Sequence, residues 1–185
     1  MTASIETPAL TGTWNVDPSH SRLGFAVRHA MVATVRGKFN DVSGVLVLDG
    51  ENPADSSAEV TAQIASFDTG SADRDGHVKS ADFFDAEQWP TLTFKSTSAR
   101  SAGEDEYVLS GDLTIRDVTR PIDLAISYIG ASTDPYNNAR AGFEGTAVLN
   151  RKDFGLTWNS VLETGGVLVG DKVKITIDVS AIKAA

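Results

Sequence analysis

Apolar side chains recur at every second position over most of this chain. The clearest run is near the C-terminus, where Val173, Ile175, Ile177 and Val179 are each separated by one polar residue. Ile122, Leu124, Ile126 and Tyr128 alternate with Asp123, Ala125 and Ser127, and Leu23, Phe25 and Val27 with Arg22, Gly24, Ala26 and Arg28. A period of two puts such residues on one face of a β-strand. Further runs lie at Val60-Ala62-Ile64, Leu92-Phe94, Leu113-Ile115 and Ala141 to Leu149. Thr34 to Asp49 reads as one long strand, with bending expected at Gly37 or Gly44. A tight reversal is expected at Asp117-Val118-Thr119, and a helical turn at Asn150 to Asp153. About eight long strands joined by short turns favour antiparallel pairing. One-sided strands must bury their apolar face, either in a sandwich or in a closed barrel. Strands of about ten residues, against a usual five or six, favour an up-and-down barrel whose interior holds one ligand. The expected fold is all-β, a single antiparallel eight-stranded barrel.

One stretch breaks the pattern. Phe67 to Phe94 carries five aromatic residues and His77, one of three histidines. Its centre predicts a short helix over residues 71–80. Ser71 caps it, Asp73 and Asp75 sit near the positive end of the helix dipole, and Lys79 sits near the negative end. Gly76 limits it to about two turns held by packing. Phe83, Phe84 and Trp89 are too apolar for a free loop. They either cover an opening, as a lid, or form ordinary core under a long crossover.

Composition excludes several function classes. A net charge of −9 repels a phosphate backbone and disfavours lying flat on an anionic membrane. No segment reaches the ~18 apolar residues of a membrane helix. The absence of cysteine removes disulfides and thiolate metal sites. Residues 1–11 read as a flexible tail and residues 12–185 as one domain. Met1 to Leu10 lacks the basic and apolar regions of a secretory signal, so a cytoplasmic location is expected. Gly165 to Lys172 approaches a phosphate-binding loop, but Asp171 stands where the lysine belongs. Asp153-Phe154-Gly155 lacks the partner motifs of a kinase.

The motifs also resemble a known family. Trp14-x-Val16-Asp17-x-x-His20-Ser21-x-Leu23-x-Phe25-x-Val27-x-His29 is similar to the opening of the YceI-like, polyisoprenoid-binding proteins. Asp68-Thr69-Gly70, Arg74-Asp75-x-His77 and Ser80-x-Asp82-Phe83-Phe84-Asp85 resemble their middle signature. Gly111-x-Leu113-Thr114-Ile115-Arg116, Asn150-Arg151-x-Asp153-Phe154-Gly155 and Gly170-Asp171-x-Val173 follow in order. The resemblance implies an extended lipocalin-like barrel holding a polyprenyl chain or quinone tail. It alone implies a homodimer. Many members of the family are periplasmic, which contrasts with the cytoplasmic expectation here.

A polyprenyl tail needs an apolar tunnel, because its affinity comes from area removed from water. Phe25, Val27, Phe39, Ile64, Leu92, Phe94, Leu113, Ile126 and Phe143 are the expected wall, with plain core packing as the alternative for each. Phe67, His77, Phe83, Phe84 and Trp89 complete the expected ligand contacts. His20, Arg74 and Lys79 are expected at a polar or pyrophosphate head group, with Arg74 pairing to a nearby acid as the alternative. No cofactor other than the lipid is expected, and no catalytic residue. The competing reading is a metal protein or other enzyme using His20, His29 and His77. His20 and His29 are an odd number of residues apart, so on one regular strand they face opposite sides.

Overall fold

Each polar–apolar alternation becomes a strand, and the breaks between strands have identifiable causes. The computed structural model describes residues 9–185. Strand β1 (Gly12–Val16) is stopped by Pro18, which opens a 3-10 turn over Pro18–His20. β2 (Arg22–His29), β3 (Ala33–Phe39), β4 (Val42–Leu48), β5 (Ser57–Gln63) and β6 (Phe67–Asp68) follow. The helix α1 (Ala72–Lys79) comes next. After it run β7 (Thr91–Gly103), β8 (Glu106–Ile115), β9 (Val118–Thr133), β10 (Ala139–Asn150) and β11 (Val169–Lys183).

The segments close into an eight-stranded antiparallel barrel. β1 pairs with β4 and β2 with β3, while β11 pairs with β2 along one half and β1 along the other. β4 pairs with β5 and β3 with β6, and β5, β7, β8, β9, β10 and β11 pair in that order to complete the ring. Three adjacent barrel strands are thus each built of two segments: β1 with β2, β3 with β4, and β5 with β6. The second and third breaks satisfy one another's backbone groups, while the first is held to β11 by the Asp17 N–H on Ser180 O at 2.8 Å. The Asn40 N–H donates to Ser66 O at 3.1 Å, and the Gln63 N–H to Asp41 O at 2.9 Å. The long strand expected from Thr34 to Asp49 is therefore interrupted at Asn40-Asp41, not at a glycine. Ile64, expected to extend a strand, opens a 3-10 turn. The reversal between β8 and β9 falls at Arg116, with φ +56°, one residue earlier than expected.

Two mid-strand glycines serve close approach instead. A Cβ on Gly37 would run into the Phe25 ring, and one on Gly111 into the Phe94 ring. Both glycines lie on the inner face, opposite or beside the aromatic residue that covers them. A side chain there would displace the ring. The barrel's two halves carry separate apolar clusters. One gathers Phe39, Ile64, Phe67, Phe94 and Phe154; the other gathers Trp14, Val16, Leu46, Ala141 and Ala181. Trp14 is fully buried, and its indole N–H donates to Leu10 O at 2.8 Å. Most of the expected tail, residues 1–8, lies outside the described residues. Ala9 accepts a bond from Lys183 at 2.6 Å.

A charged network ties the second half together. Arg140 donates to Asp134 at 2.7 Å and to Asp17 at 2.8 Å, joining the β9–β10 turn to the kink after β1. The Ser19 hydroxyl and Arg140 hold the Asp17 carboxyl far below its ordinary 3.8. Arg140 and the Asn138 N–H do the same for Asp134. A carboxylate whose pKa is depressed by folding stabilises the fold above the unfolded value and loses that contribution as pH falls toward the folded one. The urea midpoints of wild type and Arg140→Leu should therefore differ most above pH ~4 and converge below it. A gap that stays constant with pH would show that Arg140 acts by packing alone.

Candidate ligand-binding site

The inner faces of the strands do not meet at the barrel axis. They leave a cavity of about 310 Å³ in the half that α1 covers and a second of about 170 Å³ in the other half. Pockets of roughly 300–1,000 Å³ are typical of small-molecule sites. Of the expected wall, Phe25, Val27, Phe39, Leu92, Phe94 and Leu113 line the larger cavity. Ile126 and Phe143 line the smaller. Val60, Phe94, Leu124, Ile177 and Val179 line both, so the two spaces share a wall at mid-barrel.

The excursion between β6 and β7 roofs the larger cavity. Ser71 caps α1 through the Arg74 N–H at 3.4 Å. Past its end, the Phe84 N–H donates to Val78 O and the Ala86 N–H to Lys79 O, which winds the chain back over the barrel. Phe67 stacks on Phe25 at 5.0 Å between ring centres, and Phe84 meets Phe39 and Phe67 edge-on at 6.0 and 5.8 Å. A second group sets His77 edge-on to Trp158 at 4.6 Å and to Phe83 at 5.2 Å. Phe67, His77, Phe83 and Phe84 all line the cavity, as expected. Arg116 donates to Phe83 O at 3.3 Å, fastening the roof to the β8–β9 turn.

Four expected residues line neither cavity. Ile64 is fully buried, because the kink turns its side chain into the solid core. Trp89 lies beyond the part of the excursion that faces inward, and Lys79 faces away from the cavity. His20 is held in the 3-10 turn by Asp17 at 2.8 Å, exposed and away from the mouth. His29 and His77 do line the larger cavity, but His20 does not join them. Among the described residues there is no group of three or more histidine or carboxylate side chains placed to hold a metal.

The wall expected from the sequence omits the inner face of β11, although its alternation is the strongest in the chain. Val173, Ile175, Ile177 and Val179 all line the larger cavity. The expected wall also omits the loop at residues 155–168, which contributes Leu156, Trp158 and Leu168. That loop carries no periodic signal. Its anchor is Arg151, only 5% exposed. Arg151 donates to Gly170 O at 2.9 Å, Leu156 O at 2.7 Å, Trp158 O at 2.8 Å and Val169 O at 3.3 Å. Burial lowers its pKa and Asp171, at 3.8 Å, opposes that shift. Arg74 pairs with no acid, contrary to the alternative; it donates to the Thr69 hydroxyl at 2.7 Å and to Thr69 O at 3.0 Å. Asp75 accepts the same hydroxyl at 2.6 Å. Arg74 thus stays at the cavity's edge with guanidinium N–H groups left for an anion.

Fold and site together define a closed antiparallel barrel that encloses apolar space under an aromatic roof. Residues 14–181 match the YceI-like domain, and the chain belongs to that family. A UPF0312 protein from Ectopseudomonas mendocina is 42% identical over 138 residues, covering 75% of this chain and 72% of that one. The crystal structure of BcnA from Burkholderia cenocepacia superimposes with a TM-score of 0.79 at 25% identity, over 89% of this chain and 98% of that one. A polyisoprenoid binding domain from Saccharophagus degradans, implicated in plant cell wall breakdown, gives a TM-score of 0.71 over 92% and 98% of the two chains. At 16% identity that likeness speaks to the fold alone. No helix among the described residues is long and apolar enough to cross a membrane.

Proposed function

We propose that this protein binds a long-chain amphiphile of the polyprenyl or quinone type and carries or sequesters it. The tail lies in the barrel, and the head group sits at the roofed end beside Arg74 and His77. The enclosed apolar space is the observation that carries this reading. Protein interiors pack to the density of organic crystals. A space of about 310 Å³ lined by apolar side chains instead leaves their surface unpacked, at a cost in lost contacts or in hydration. An apolar chain removes that cost, and polar groups at one end suit a ligand with one polar terminus. The family and the fold shared with a polyisoprenoid binding domain support the same reading.

Native mass spectrometry of the purified protein tests it. An isoprenoid or quinone mass is expected, released by organic solvent and restored by adding polyprenyl ligands. Phe83→Ala and Phe84→Ala should release the ligand at least tenfold faster, since each ring contributes about 2 kcal/mol of roof packing. A ligand-free protein that also takes up no added polyprenyl compound would overturn the reading.

A further inference from the structure

We propose that the β2–β3 end of the barrel docks on an anionic lipid bilayer, with Met31 and Val32 entering it. The inference extends the lipid-binding reading but rests on a different surface. Met31 is 60% exposed and Val32 83%. They form the tip of the hairpin between β2 and β3. Ala30 and Met31 hold φ of +49° and +67° there, in a turn that closes with the Val32 N–H on His29 O. Such hairpin turns normally use asparagine or glycine, because side chains are strained at positive φ. A methionine kept at a strained, solvent-facing position points to a role outside folding. Beside the tip lies the loop at 155–168. Its Leu168 O accepts the Ala30 N–H at 2.7 Å, its Gly166 lies against Met31, and it exposes Val161 at 82%.

The charge around this tip runs against that of the whole chain. Lys174 and Arg36 both pair in register with Ala26, from β11 and β3, so the two cations flank one position on the outer face. Arg28 is two residues along the same face, and Lys172 lies on that face of β11. All four are exposed. Among the described residues none has an acid within ion-pairing distance. Of the nearby acids, Asp171 is engaged by Lys152 at 3.2 Å, and Glu163 stands on the loop. A protein of net charge −9 thus presents four free cations beside its exposed apolar tip. An apolar tip with cations along one adjoining face fits a bilayer with anionic head groups. A nucleic acid would use the cations but not the apolar tip. Arg28, His29 and Leu168 also line the larger cavity, so docking here sets the cavity's edge against the lipid.

Flotation with vesicles tests the proposal, using pure phosphatidylcholine and equal parts phosphatidylcholine and phosphatidylglycerol. The full chain should float only with the anionic vesicles, and added salt should release it. Arg36→Glu with Lys174→Glu should weaken binding more than about tenfold, and Val32→Ser, which leaves every charge in place, should also weaken it. Neither variant touches the cavity wall, so uptake of a polyprenyl ligand from detergent should match wild type. Equal flotation of wild type and variants, or none, would overturn the docking proposal. So would binding to a short DNA duplex with the same charge dependence and no flotation. Uptake without flotation would leave the carrier reading standing alone. Flotation of a protein that takes up no ligand would leave the docking surface and remove the carrier.

Discussion

Replacing Arg151 with methionine is expected to destabilise the protein by about 3 kcal/mol and to lower its Tm by roughly 10 °C. The guanidinium is the shared partner of four backbone carbonyls, two at the start of β11 and two in the loop at 155–168. Methionine fills much of the same volume but donates nothing. The carbonyls of Leu156 and Trp158 then lose their partner beside an apolar cavity, where water is a poor substitute. Lysine is expected to fail almost as badly, because a single ammonium cannot reach both strands of acceptors in the planar fork. The loop should come loose before the barrel does. Tryptophan fluorescence separates these events: Trp158 should shift to the red in the variant while the fully buried Trp14 still reports a folded barrel. A variant with wild-type Tm and unchanged emission would show that the loop is held by its apolar contacts and that the arginine is incidental.

The second large effect is expected at mid-barrel. Val60 lines both cavities, and phenylalanine there fills the space between them. If the ligand's tail runs from the larger cavity into the smaller, the variant should bind shorter chains only. Each excluded prenyl unit forfeits the burial of about five carbons, about 3 kcal/mol or roughly a hundredfold in affinity. The ligand-free variant should be no less stable than ligand-free wild type, because the new ring occupies existing void. Mass spectrometry of the bound species reads the chain length, and thermal unfolding after solvent extraction reads the stability. An unchanged length distribution with tight binding would mean that the tail ends in the larger cavity.

Much of the architecture could be read directly. Alternation in Ile122 to Tyr128 and Val173 to Val179 reports which side chains share a face, and a strand is defined within its own few residues. The cap at Ser71, the acids after it and the aromatic pair Phe83-Phe84 likewise act on their immediate neighbours, so the roof over the barrel was visible in outline. Kinks were not. Within Thr34 to Asp49 the turn-prone pair Asn40-Asp41 competes with Gly37 and Gly44 as the break, and the choice is set by its backbone bonds to Ser66 and Gln63 on the neighbouring strand. The same holds for Ile64 and Trp89, which have the right chemistry for the wall and the wrong direction.

A one-sided antiparallel barrel of the YceI-like family with a short helical excursion is legible in the chain itself, because local period and motifs in order carry those properties. Only folding of the whole chain decided that the barrel is hollow. Empty volume is the difference between what eight strands enclose and what all their side chains fill, and no single strand carries that difference. It also decided that Arg151 holds the loop at 155–168, since a buried cation is explained only by the carbonyls folded around it. Net charge showed the same limit. A sum of −9 argued against an anionic surface, but register sets Arg36 and Lys174 on either side of Ala26, and electrostatics at a surface depends on neighbours within about a Debye length.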